Sequence, residues 1–299
     1  MTEALELART VPRYFSKFSN KIYCNHQKLV IIVLMQKLKL TTRGVVSFLR
    51  NNPSLCLDFG LIRIPVHTTL VRFFKKIKNV IGLILNIRTA KNVAIDSTGF
   101  ELEAKSFYYR NINQHLFPNY LRKTKKHMKV SIIVDTDKQL ILTYKIRKNQ
   151  RHDTIDFKEL LKDLTVKKVF GDKGYDSKKN RRFVINKLKA TPIIPVKRYH
   201  NFYGYSKQNR RIDGKDYHQR SKVETVFSVL KRKYGSILRC KTYATQQTEL
   251  ISKLIAYNVD RKVNYLYLLI LRGLHQSPLR LSYLFFSLFL GFILVIFHS

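Results

Sequence analysis

A basic all-α region followed by an α/β domain is the fold class predicted for this 299-residue chain. Three observations predict it. Residues 7–95 carry sixteen Lys/Arg and a single acid, Asp58, in segments that read as helices. At Lys91 the pattern changes to short β-branched runs bounded by turn residues. From there the elements follow in the order β-β-β-α-β-α-β-α, with no internal repeat. A chain of this length can hold one large domain or two smaller ones.

The first helical segment is "NHQKLVIIVLMQKLKL", apolar enough to be buried. Thr41-Thr42 can cap "RGVVSFLRNN", which Pro53 follows; the loop "LCLDFGLIRIP" then leads to "VHTTLVRFFKKI", with Thr68 or Thr69 as its cap. Three short helices with a basic last one predict a helix-turn-helix-like module in which Arg72, Lys75 and Lys76 contact DNA. The alternative is a bundle with a solvated basic face. In the second region "KNVAID" reads as a strand ending at Asp96, followed by "STGFELEA", with the small or turn residues of "DSTG" directly behind the acid. "MKVSIIVD" and "QLILTYKI" flank "TDK" as a hairpin; the aromatic and basic "SFYYRNINQHLFPNYLRKTKKH" before them reads as an exposed loop. "DTIDFKELLKDL" is amphipathic at helical spacing, with Asp153 placed to cap it. "KKVFGD" is a strand ending at Asp172, Asp176 or Ser177 opens the next helix, and "TPIIPV" is a last short strand. A basic, Tyr-rich loop then leads to the helix "YHQRSKVETVFSVLKRKYG".

With 57 Lys+Arg against 19 Asp+Glu, the formal net charge is +38. Such self-repulsion is poorly tolerated unless a polyanion neutralises it, and at 45% hydrophobic residues the chain is not a disordered tail. Both point to nucleic acid as the partner. The three cysteines are far apart without a CxxC pair, and the histidines form no HxxxH, which argues against a disulfide framework and a zinc site. The N-terminus does not read as a secretory signal. Near the other end, "LSYLFFSLFLGFILVIF" is 17 uncharged residues, short for a spanning helix of about 20. "SPLR" separates it from Leu266–Leu271, which could extend a docking helix.

Two strand-end aspartates in this order can lie side by side at one sheet edge. Like charges so placed repel unless a cation binds between them, and oxygen donors suit hard divalent ions. In the last helix Tyr217, Arg220, Glu224 and Lys231 fall within a stripe of about 60° at roughly 100° per residue. Val223, Val226, Phe227 and Leu230 lie directly beside that stripe. Glu224 is therefore expected to look along the sheet edge, although an Arg220–Glu224 ion pair is the ordinary alternative.

The spacing Y-x2-R-x3-E-x6-K, filled by these four residues, resembles the signature of a large group of prokaryotic insertion-sequence transposases. "AIDSTG" and "VFGDKGYDS" resemble the segments carrying that group's first two catalytic aspartates. The resemblance runs from about Lys91 to Arg261. It implies an RNase H-like catalytic domain (89–262) behind a DNA-binding region (1–88), with a hydrophobic tail (263–299). It further implies a triad of Asp96, Asp172 and Glu224 that holds Mg2+ or Mn2+, two ions in all. DNA cleavage at the element ends followed by strand transfer is the implied reaction. Tyr217, Arg220 and Lys231 are the implied DNA contacts near the cut, and a homodimer on paired ends the working form. Location in the cytoplasm on the nucleoid is implied, with no small-molecule cofactor and no membrane. An RNase H-like nuclease without strand transfer, or a non-catalytic DNA-binding descendant, are the competing readings.

Overall fold

The computed structural model describes residues 8–77, 87–102, 127–148, 152–196 and 214–276. Its first helix, α1 (Asn25–Lys37), opens with a capping box built on a cysteine: Cys24 Sγ accepts from Gln27 N, and the Gln27 side chain accepts from Cys24 N. Leu29 to Val33 are all buried, so α1 is apolar on every side, as a core helix must be. Thr41 caps α2 (Thr42–Arg50) as expected, accepting from Gly44 N at 3.0 Å. The expected loop after Pro53 instead begins with a further helix, α3 (Pro53–Asp58), because Pro53 at its first turn presets the backbone. In α4 (His67–Lys76) the cap is Val66, and Thr68 and Thr69 lie inside the first turn. Leu70, Phe73 and Phe74 of α4 are buried, whereas Arg72, Lys75 and Lys76 are exposed.

Five strands follow: β1 (Asn92–Glu101), β2 (His127–Asp135), β3 (Ile141–Arg147), β4 (Lys168–Gly171) and β5 (Thr191–Ile193). Their order in the sheet is β3-β2-β1-β4-β5, antiparallel on the β3-β2-β1 side and parallel from β1 through β4 to β5. Both faces are covered, as a partly parallel sheet requires. Val93, Ile95, Ile133 and Val169 pack on one face with Phe157, Leu160 and Leu161 of α5 (Thr154–Leu161). Ala94, Phe100, Val130 and Ile132 pack on the other, with α8 (Ser221–Tyr234) and α9 (Tyr243–Gln276). That second core also takes in α1, α2 and α4. After β4 come a 3-10 turn (Lys173–Tyr175), α6 (Lys178–Arg182) and a π turn (Phe183–Lys187). The short α7 (Gly214–His218) precedes α8.

The structure corrects four local expectations. Asp96 does not end β1. It is the fifth of ten strand residues, because nine consecutive antiparallel pairs with β2, from Val93↔Asp135 to Glu101↔His127, override the turn-like "DSTG". The segment from Tyr217 is not one helix: α7 and α8 are joined at Gln219-Arg220 by i→i−3 bonds, and Arg220 takes the cap position of α8. Asp153 stands at the start of α5 but makes no capping bond. Asp176 accepts from Arg181 Nε at 2.9 Å, leaving the cap position of α6 to Ser177.

The chain divides into two units, Met1–Val259 and Asp260–Ser299, with the boundary inside α9. Leu266–Leu271 lie within this helix, and the apolar run from Leu281 lies outside the described residues, as do the two basic aromatic loops but for His127. Among the described residues no helix is long and apolar enough to cross a membrane.

Candidate active site

The last parallel pair between β1 and β4 is Ile95↔Gly171. Asp96 and Asp172 therefore occupy the next position on each chain, where β4 turns away while β1 continues along β2. This departure opens a crevice at the carboxyl end of β4, the place where α/β sheets expose functional side chains. Asp172 caps the 3-10 turn, its Oδ1 accepting from Lys173 N at 2.6 Å, and it is exposed. Asp96 is half-buried, and burial pushes its carboxyl up to about 6. The Ser97 backbone N–H and Arg220 work against that rise, and the carboxylates of Glu224 and Asp153 add to it.

Glu224 sits in the first turn of α8, half-exposed, and Arg220 Nη2 pairs with its Oε1 at 2.6 Å. The Arg220 guanidinium also stands 5.7 Å from the Tyr217 ring. Partial burial opposes its charge, but Tyr217, Glu224 and Asp172 outweigh this and hold its proton more tightly than usual. The ordinary ion pair is thus present, within the electrostatic reach of both aspartates. Lys231, two turns further along α8, lies against β1: its Nζ donates to Thr98 Oγ1 at 2.6 Å, and burial lowers its pKa. Thr98 is two residues beyond Asp96 on the same strand, so both side chains share a face. Arg220 lies within electrostatic reach of both aspartates, Tyr217 of Asp172 and Glu224 of Asp96, while Lys231 meets β1 further along, at Thr98. Arg72 and Lys76 on α4 are not part of this cluster.

On the opposite face of β1, Ser97 Oγ donates to Asp153 Oδ1 at 2.7 Å and Lys129 pairs with the same oxygen. Partial burial raises the Asp153 pKa, but these two hydrogen bonds prevail and hold it below its usual value. The Tyr175 hydroxyl is buried nearby, close to Ser97, without a well-formed hydrogen bond. This second polar set escaped the sequence reading. The available signal was an aspartate before α5 that had no capping box, since no Glu or Gln stands three residues later.

The donor set fits a divalent cation. Two carboxylates occupy adjacent register positions, one with its proton affinity raised by burial and by further carboxylates, and all offer hard oxygen ligands. Among the described residues, no three His, Cys, Asp or Glu side chains converge on one ion as they stand. Glu224 is turned to Arg220.

Residues 88–259 match the Transposase DDE domain family. The chain belongs to this family. DDE transposases generally use divalent metal ions, in keeping with the oxygen donors of the crevice. The matched span begins just before β1 and ends at Val259, the unit boundary inside α9. Over 86% of this transposase chain and 69% of the other, the structure is also similar to that of the piggyBac transposase in a synaptic complex with hairpin DNA, solved by cryo-electron microscopy. The identity is 12% and the TM-score 0.49. No curated protein matches the chain.

Proposed function

We propose that this DDE transposase is that of a prokaryotic insertion sequence, binding the element ends and carrying out metal-dependent DNA cleavage and strand transfer. The observation that carries this reading is the register that sets Asp96 beside Asp172. Helix α8, which carries Glu224 and Lys231 of the Y-x2-R-x3-E-x6-K motif, lies over the same face, anchored at Thr98. The sheet order β3-β2-β1-β4-β5 supports an RNase H-like catalytic domain over residues 89–262.

Asp96, Asp172 and Glu224 would hold Mg2+ or Mn2+, probed as two ions. When bound, such a pair supplies an activated water and charge neutralisation at the scissile phosphate. Arg220 releases Glu224 toward the aspartates when a DNA phosphate takes the guanidinium in its place, because Arg pairs phosphate in a bidentate fork. Lys231, with its proton affinity lowered and its amine fixed by Thr98, offers a second phosphate contact. Tyr217 offers a hydroxyl contact or a stacking face. Residues 1–88 form the DNA-binding region, with Arg72, Lys75 and Lys76 on the exposed side of α4 as its contacts. A homodimer pairs the two ends, in the cytoplasm on the nucleoid.

The deciding experiment is cleavage of end-containing duplex DNA with Mg2+ by wild type and by Glu224→Gln. The variant is expected to bind DNA and not to cut it. A Glu224→Gln protein that cuts near the wild-type rate refutes the triad. Cutting without joining of the freed 3′ end to target DNA reduces the reading to a nuclease.

A further inference from the structure

A cleft of about 780 Å3 opens between α1, α2 and α4 on one side and the end of α8, the loop 235–242 and the start of α9 on the other. All of its walls belong to the unit Met1–Val259. Its lining includes the apolar Leu40, Phe74 and Ile237 and the cationic Lys39, Lys75, Lys231, Arg239, Lys241 and Lys253. The single acid lining it is Glu249, which is committed inward: its oxygens accept from Arg239 N and Cys240 N and pair with Lys253. Lys253 is equally committed, donating to Gly235 O and Ile237 O. Among the described residues the side chains of Lys39 and Arg239 bond carbonyl oxygens: Lys39 Nζ reaches Arg232 O and Arg239 Nη1 reaches Lys39 O. Among the described residues no carboxylate pairs with Lys39, Lys75 or Lys241.

A lining that mixes apolar and cationic side chains fits a ligand that is itself a flat apolar ring joined to phosphate. The volume lies in the range of a small-molecule site, roughly 300–1,000 Å3, which is room for about one or two nucleotides and not for a duplex. Lys231 lines this cleft and also reaches β1 at Thr98, so the cleft adjoins the crevice holding Asp96. We propose that the cleft binds an unpaired nucleotide of a DNA strand, its base against the apolar side chains of the lining and its phosphates on Lys39 and Lys241. This rests on the reading of the chain as a DNA-processing transposase, and deepens it by assigning a single-strand site outside the triad.

The test is run in EDTA with Glu224 intact, so that it is independent of cleavage. A fluorescent oligothymidylate and a blunt duplex of equal length are titrated against wild type and the double variant Lys39→Glu/Lys241→Glu. A control of equal charge change, Lys162→Glu/Lys187→Glu, lies away from the cleft. The cleft variant is expected to lose about tenfold or more in oligothymidylate affinity, with a salt slope shallower by about 1.4 for two lost phosphates. Bromodeoxyuridine in the oligonucleotide is expected to cross-link to the segments 40–42 or 235–242 of the wild-type protein. Equal weakening by the control, equal weakening on duplex, or cross-links elsewhere overturn the proposal. Should the double variant fail to fold by circular dichroism, the wild-type cross-link map decides alone.

Discussion

Replacing Asp96 by asparagine is expected to stabilise the metal-free protein at neutral pH. The carboxyl is raised from an ordinary 3.8 to about 6, first by burial and then by Glu224 and Asp153. The folded protein therefore holds this proton more tightly than the unfolded chain does. Below pH 3.8 both states are protonated and nothing is lost. Between 3.8 and about 6 stability falls as pH rises, and above about 6 the whole penalty is present. That interval corresponds to at most about 3 kcal/mol. Asparagine keeps the shape and an acceptor oxygen without the charge. Asp96→Asn should thus gain about 1–3 kcal/mol at pH 7 in EDTA, each kcal/mol raising the melting temperature by about 2–4 °C. The gain should shrink toward zero near pH 4. Added Mg2+ or Mn2+ should raise the wild-type midpoint and leave the variant's unchanged. The assay is thermal or urea unfolding across that pH range. A variant that is less stable at pH 7, or an advantage that persists undiminished at pH 4, refutes the account of Asp96 as an uncompensated acid.

Asp153→Asn should behave oppositely. Its pKa is depressed, so its stabilising contribution is present above the unfolded value of 3.8 and lost as pH falls through the folded one. A loss of about 1 kcal/mol at pH 7, disappearing in acid, is expected from urea unfolding, the partial exposure of the pair limiting its size. Lys231→Met should weaken duplex binding and reduce the log–log salt slope by about 0.9, the share of one phosphate, in anisotropy titrations. An unchanged slope would remove Lys231 from the DNA contacts. Truncation after Ser277 should leave Mg2+-dependent end cleavage intact and raise solubility, measured as soluble yield and cutting rate. Loss of cutting in a folded truncated chain assigns the tail to the working enzyme.

The elements were legible where the signal is local. Alternating β-branched residues announced β2 and β3, and the switch of pattern at Lys91 announced β1. The apolar face of α8 could be read from Val223, Val226, Phe227 and Leu230, all buried. What was not legible depends on distant partners. "DSTG" looks like a turn until β2 pairs with it residue by residue. Asp153 looks like a cap until Ser97 and Lys129, remote in sequence, come within reach of its carboxylate. The joint at Gln219-Arg220 has no glycine or proline to mark it; it is visible only in its i→i−3 bonds. The conformation of Glu224 was likewise hidden, since sequence spacing placed both Arg220 and the aspartates within its range.

The helices α1, α2 and α4 share one continuous core with the face of the sheet that bears Asp96. On the proposed reading, a grip on DNA by α4 and a cutting centre on β1 are packed on that same core. On the proposed reading the protein is a measuring device. The spacing between the base pairs it holds and the phosphate it severs is written into the core, in the side chains of Leu70, Phe73, Val226 and Leu230. A cavity cut there, for example by Phe73→Ala, would loosen the ruler and blur the position of the cut before it abolished cutting.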